Sequence, residues 1–107
     1  MISLSYEKSK LINLVDYQDE SIVSKTLIDR KSGSVTLFSF DKDQKLSEHT
    51  APYDALVYVF DSKCEITIGG IAYQLESGDL IIMPANVPHA VKALTKFKML
   101  LAMIKEC

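Results

Sequence analysis

The sequence has few of the residues that usually mark a reactive site. It contains two cysteines and two histidines among 107 residues. Cys64 and Cys107 lie far apart in the sequence and lack CxxC spacing. They could form one disulfide, but we expect both thiols to be free in a reducing cytoplasm. Cys64 alternates with Ile66 and Ile68, and we interpret it as a small core residue. Neither histidine comes with a nucleophile at a turn, so a Ser-His-Asp triad is not indicated.

The chain also lacks an excess of positive charge and any long apolar run. Its formal net charge is −2 and its pI is about 5.6, which argues against nucleic-acid binding. An uninterrupted apolar run such as residues 55–60 is far too short to span a bilayer. The N-terminus carries no apolar signal-peptide core, so we expect a cytoplasmic protein without a membrane partner.

The chain does contain a regular series of short segments rich in β-branched and aromatic residues. We predict strands at residues 22–29, 35–40, 46–50, 55–60, 64–68, 71–75, 80–83, 89–93 and 96–104. Gly69-Gly70 lies between two alternating runs and predicts a two-residue hairpin. Residues 10–16 are consistent with either a strand or a short helical turn. Without a long helix, this pattern predicts an all-β fold, an antiparallel sandwich or barrel that occupies residues 1–107 as one domain.

The most informative stretch runs from Gly78 to His89. The glycine belongs to a turn, and the apolar residues 80–83 that follow predict a buried strand. Pro84 and Pro88 cannot donate hydrogen bonds and fix φ, so the strand must end and the chain must form a loop. His89 then begins the next apolar segment. We therefore expect this histidine to be held firmly at the start of a strand.

The same stretch resembles a known motif. Gly78-x5-Pro84-x-Asn86-x2-His89 is similar to the second conserved motif of the cupin superfamily, G-x5-P-x-G-x2-H-x3-N. Asn86 replaces a glycine, and asparagine tolerates the left-handed conformation that glycine would adopt. Ala93 replaces the final asparagine. The resemblance implies a small single-domain cupin of the type 2 kind, with the antiparallel β-barrel called a jelly roll or double-stranded β-helix.

The first cupin motif, G-x5-H-x-H-x3,4-E-x6-G, is only partly present. The resemblance implies three histidines and one glutamate around a divalent ion in a typical metal-binding cupin. Here only His49 and His89 match, while Ala51 and Ala55 occupy the positions of the other histidine and the glutamate. Since a transition ion generally takes three or four protein ligands, His49 and His89 form an incomplete metal set. Whether the chain binds a divalent metal ion as a cofactor stays open.

Three interpretations of the histidine pair therefore stand side by side. In the first, which we favour, His49 and His89 bind a small polar ligand at the mouth of a metal-free barrel, with Tyr53 and Val57 as further ligand-contacting residues. In the second, the two histidines hold a metal ion, and the chain is an enzyme of dioxygenase or isomerase type. In the third, the histidines are structural. Whether the chain is an enzyme at all stays open.

Two predicted strands are apolar on both faces. Val57 and Val59 alternate with Leu56 and Tyr58, which are also apolar, and residues 97–104 show the same pattern. An antiparallel strand with one solvated face should instead alternate between apolar and polar residues. Another part of the same chain could cover these second faces, and a two-fold dimer would do so equally well; we expect a homodimer. A dimeric structural or regulatory module without a ligand is a third class of function.

Overall fold

The structure is a computed structural model that describes residues 8–105. The expectations about an N-terminal signal and about Cys107 therefore lie outside the described residues. The elements are a 3-10 helix (Leu11–Asn13), β1 (Ile22–Arg30), β2 (Gly33–Phe40), β3 (Lys45–His49), β4 (Asp54–Asp61), β5 (Lys63–Ile68), β6 (Ile71–Glu76), β7 (Leu80–Met83), β8 (His89–Ala93) and β9 (Phe97–Ile104). Between residues 8 and 105 no helix is long and apolar enough to cross a membrane.

Two antiparallel sheets face each other. The larger sheet has the strand order β1-β2-β9-β4-β7, and the smaller has the order β3-β8-β5-β6. Each observed strand matches a predicted segment to within two residues at either end. The predicted all-β antiparallel fold is confirmed, and residues 10–16, which the sequence left open, contain the 3-10 helix.

Two turns adopt the backbone that their residues predict. Gly69 and Gly70 both have positive φ, 57° and 83°, as a tight primed hairpin turn between right-twisted strands requires. Asn86 has φ 65° and so occupies the left-handed conformation expected where the cupin motif has glycine. Both turns approach the ends of β5 and β8, where the two sheets open toward solvent.

The core between the sheets is densely filled at one end. Phe40 and Phe97 stack there with ring centroids 4.6 Å apart. Val59, Cys64 and Ala93 belong to the same cluster, and all five side chains are fully buried. We call this group the closed end. The predicted core position of Cys64 is confirmed, and burial raises the pKa of its thiol to about 12.

The N-terminal segment crosses the outer face of the larger sheet near this closed end. The buried Lys98 ammonium donates a hydrogen bond to the carbonyl of Ile12 at 2.8 Å. Ser39 donates to the carbonyl of Asp16 at 2.7 Å, and Tyr17 donates to the Asp61 carboxylate at 2.6 Å. These bonds fix the segment on one half of the face and leave the other half without a cover from residues 8–105.

Candidate functional site

The two histidines meet at the end of the sandwich opposite the closed end. The Nε2 atoms of His49 and His89 lie 3.1 Å apart, and the rings are tilted by 69° with centroids 4.3 Å apart. His89 is buried and His49 is exposed, so the pair extends from the interior to solvent. Sequence reasoning placed both residues where strands meet loops, but their direct contact becomes visible only in the structure.

A register shift in β3 brings His49 to the inside. Leu46 pairs with Val91, and His49 pairs with His89, so three steps along β3 match two steps along β8. In a regular strand, residues three apart point to opposite faces. The extra residue, a β-bulge, places Leu46 and His49 on the same inner face. Bulges commonly redirect a side chain beside a functional site in this way.

The loop before His89 is fixed by hydrogen bonds to three other parts of the chain. The backbone N–H of Ala85 donates to the Asp54 carboxylate at 2.8 Å. Asn86 donates its N–H to the carbonyl of Ala51 at 2.8 Å, and Gly69 donates to the carbonyl of Pro88 at 2.8 Å. The Asp54 carboxylate therefore stabilises the loop by accepting this hydrogen bond. These bonds explain why His89 is held firmly, as its loop sequence predicts.

The polar contacts of the two histidines need one more hydrogen than two neutral imidazoles carry. His49 Nδ1 lies 2.7 Å from the carbonyl of Ser47, and His89 Nδ1 lies 3.2 Å from the carbonyl of Val87. Together with the Nε2–Nε2 contact, these are three contacts, and each needs one hydrogen. Two neutral imidazoles carry only two N–H groups. A third proton, a metal ion or a donor group of a ligand would complete the set.

Beneath the pair lies a small, mostly apolar cavity of about 70 Å³. Its lining consists of two imidazoles, one phenol and a set of apolar side chains. The lining residues are Phe38, Leu46, His49, Ala51, Tyr53, Ala55, Met83, His89, Val91, Met99, Leu101 and Met103. Ala51 and Ala55, where the cupin motif has histidine and glutamate, leave space instead of supplying ligands. Ligand pockets commonly measure roughly 300–1,000 Å³, so this one suits a ligand of few atoms.

The other predicted contact residues lie in different places. Tyr53 is half-buried and lines the cavity, and the Lys105 ammonium lies 5.8 Å from its ring centroid. Val57 is fully buried in the core and is not among the residues that line the cavity.

Sequence reasoning did not place the three methionines in the site. Met83, Met99 and Met103 line the cavity, whereas Cys64 belongs to the closed end. Strand pairing, which only the structure gives, brings two of these methionines beside Ala55. Ala55 pairs with Met83 on one side and with Met103 on the other. Ala55 and these two methionines therefore share one face.

The residues fit a metal ion only in part. An ion bonded at the usual distance of about 2.0–2.1 Å could contact both Nε2 atoms across their 3.1 Å separation. Among residues 8–105, however, no group of three or more histidine, cysteine, aspartate or glutamate side chains is arranged to hold a metal. A hard divalent ion would therefore lack the carboxylate and the third imidazole that typical cupin sites supply.

Comparison with known proteins identifies the family. The Cupin domain family matches residues 36–104, which include both histidines and the cavity strands. The chain belongs to the cupin family. No protein with a curated description matches this cupin.

Solved structures support the same assignment. A conserved Streptococcus pyogenes protein of unknown function is 38% identical, with 84% of this chain and 79% of that chain covered and a TM-score of 0.81. A Leptotrichia buccalis cupin 2 conserved barrel domain protein is 40% identical over 89% of this cupin, with a TM-score of 0.86. This cupin spans only 46% of that chain. A cupin superfamily protein from Desulfitobacterium hafniense, 24% identical and covered to 94%, shares the fold over 95% of this chain with a TM-score of 0.90.

Proposed function

We propose that this cupin binds a small organic molecule in the cavity, with the imidazoles of His49 and His89 as its polar recognition groups. The observation that supports the proposal is the convergence of two Nε2 atoms at the mouth of an apolar cavity. A few polar groups in an otherwise apolar pocket are typical of small-molecule sites, because they fix orientation while burial supplies affinity.

The number of hydrogens on the two imidazoles limits which polar groups the bound molecule can carry. Both Nδ1 atoms face carbonyl oxygens, so both Nε2 atoms present lone pairs when the rings are neutral. A ligand hydroxyl would donate to one of these lone pairs, and a ligand ammonium could donate to both. The remaining lining is apolar apart from Tyr53. The ligand class that fits is therefore a small molecule with a compact apolar body and one donor group.

The first experiment measures thermal stabilisation across a panel of small alcohols, amines and carboxylic acids. His49→Ala and His89→Ala should each weaken the binding of a hit about 10-fold or more, since each removes a hydrogen bond in a poorly hydrated site. Glu48→Ala is the matched control, because Glu48 adjoins His49 on β3 but is not among the cavity-lining residues. A hit that binds both histidine variants as tightly as the wild type would contradict the proposed site.

A soft metal ion is the second candidate occupant, and it would make the chain a candidate metal-dependent enzyme of dioxygenase or isomerase type. It is favoured by the thioethers of Met83, Met99 and Met103, which line the same cavity as the two imidazoles. Thioether and imidazole ligands suit Cu(I) better than a hard divalent ion. When bound, such an ion would supply a redox-active or Lewis-acidic centre, and His49 and His89 would hold it.

Elemental analysis of the protein purified without chelator separates the two candidates. Near-stoichiometric metal that is lost in His49→Ala and in His89→Ala would replace the organic ligand with a metal ion. Met83→Leu and Met103→Leu preserve volume but remove sulfur, so they should weaken a soft ion and leave an organic ligand almost unaffected. Metal content that is the same in the wild type and in both histidine variants would rule out these residues as ligands.

A further inference from the structure

The last strand, β9, leads from the closed end to the cavity and is followed by a lysine on the same side. Leu101 and Met103 are inward residues of β9 that line the cavity. The backbone N–H of Lys105 donates to the carbonyl of Ser32 at 2.8 Å, which extends the register between β2 and β9 by one more residue pair. Because alternate residues of a strand share a face, the Lys105 side chain follows Met103 on the inward side, at the mouth of the cavity.

The Lys105 ammonium lies against a residue of the cavity wall. Lys105 is half-buried, and its Nζ atom lies 5.8 Å from the ring centroid of Tyr53, which lines the cavity. A ring face attracts a cation through its quadrupole but carries no net negative charge. The ammonium therefore keeps its full charge beside the mouth, and its N–H groups can only donate hydrogen bonds.

The two sides of the mouth carry opposite hydrogen-bonding groups. On the side of the smaller sheet, His49 and His89 present Nε2 lone pairs when the rings are neutral, since both Nδ1 atoms face carbonyl oxygens. On the side of the larger sheet, Lys105 and Tyr53 offer an ammonium and a phenol hydroxyl, and both groups can donate. Facing sheets are about 10 Å apart, so a small molecule can contact both sides. Such a molecule needs a donor at one end and an acceptor, best a negatively charged one, at the other.

We infer that Lys105 binds a carboxylate of the ligand, so that the ligand is a small hydroxy- or amino-carboxylic acid. This inference rests on the proposed function, because it requires an organic molecule in the cavity. A carboxylate fits better than a phosphate group, since one ammonium balances its single charge, whereas a phosphate monoester carries nearly two. Half-burial of the ammonium reduces screening by water, so the ion pair should be stronger than one on the open surface.

The closed end contains a matched lysine–tyrosine pair. The Lys96 Nζ atom lies 5.8 Å from the ring centroid of Tyr17, the same distance as in the pair of Lys105 and Tyr53. Tyr17 donates to the Asp61 carboxylate, outside the cavity. Lys96→Gln therefore removes one positive charge from the same kind of contact without changing the mouth. This variant is the control for effects that net charge alone would produce.

NMR titration of the isotope-labelled protein with two acids and their amides tests the inference. The acids are 3-hydroxybutanoate and 4-aminobutanoate, and butanoate serves as the acid without a donor group. Lys105→Gln should weaken the binding of a bound acid about 10-fold and that of its amide less than about 2-fold, because only the acid loses a charged hydrogen bond. Lys96→Gln should bind every probe as the wild type does. Lys105→Arg keeps the charge and should bind the acid within about 3-fold of the wild type.

Three results would overturn the inference. They are a wild type that binds neither acid, an acid that binds Lys105→Gln as tightly as the wild type, and a loss in Lys96→Gln equal to the loss in Lys105→Gln. The proposed function would survive each of them if an alcohol, an amine or an acid still binds through the two histidines. Conversely, acid binding that depends on Lys105 but is unchanged in His49→Ala and His89→Ala would support the carboxylate contact and overturn the proposed function.

Discussion

The two ends of the sandwich are built from the same strands but are filled differently. At the closed end, the stacked rings of Phe40 and Phe97 occupy the space between the sheets. At the other end, Ala55 and Ala51 leave a cavity, and two imidazoles meet above it. Alternation decides which residues face inward, whereas the size of the inward residue decides whether that position stabilises the fold or leaves room for a ligand.

Removing a large ring from the closed end should produce the largest loss of stability. Phe97→Ala would leave a cavity in fully buried surroundings and should lower the free energy of unfolding by about 3–5 kcal/mol. Met103→Ala, at the open end, should cost about 2 kcal/mol or less, because Met103 is only half-buried beside an existing cavity. Urea denaturation measures both values. Equal costs would show that the two ends are packed alike.

A small-to-large substitution tests the same contrast in the opposite direction. Ala93 is fully buried at the closed end, so Ala93→Val should overpack the core and cost about 1–3 kcal/mol. Ala55→Val adds the same two methyl-sized groups beside the cavity and should cost less than about 1 kcal/mol. It should also reduce ligand binding, since it takes up part of the cavity. A larger destabilisation by Ala55→Val than by Ala93→Val would contradict the assigned ends.

The smallest expected effect concerns the Cys64 thiol. Burial raises its pKa from 9.0 to about 12, so the folded state keeps the thiol neutral while the unfolded chain ionises it above about pH 9. The contribution to folding is therefore complete below pH 9 and declines as the pH rises toward 12. Urea denaturation between pH 8 and pH 10, with Cys64→Ala as the reference, should show a steeper decline in the parent protein.

Thiol labelling provides a second measurement at the same residue. In a Cys107→Ser background, Cys64 should react with a thiol reagent slowly at pH 8 and rapidly after unfolding, because the thiolate is the reactive form. Rapid labelling of the folded protein would show that water reaches the closed end.

Most of the fold could be predicted from the sequence. The strands are short segments rich in apolar residues, and most of them are bounded by turn residues. The loop of Pro84 and Pro88 likewise predicts a fixed histidine at position 89. The contact between the two histidines could not be predicted, since it depends on which strands of the smaller sheet are neighbours. Residues 10–16 were ambiguous because a single short turn leaves no clear period.

The methionines illustrate a further limit. Met83 and Met103 face inward and line the cavity. Whether an inward position contacts close-packed neighbours or a cavity depends on the volume of the residues across from it, here Ala55. That information is distributed over three strands, so no local pattern contains it.

The bulge in β3 has a consequence for how this site tolerates insertions and deletions. With Leu46 facing inward, a regular strand would direct Glu48 toward His89, and the site would join a carboxylate to an imidazole. The chain instead carries one surplus residue between Leu46 and His49. Deleting Ser47 would remove that surplus and restore two steps on each strand, with the histidine still inward. At this position a shorter chain should therefore preserve the histidine pair.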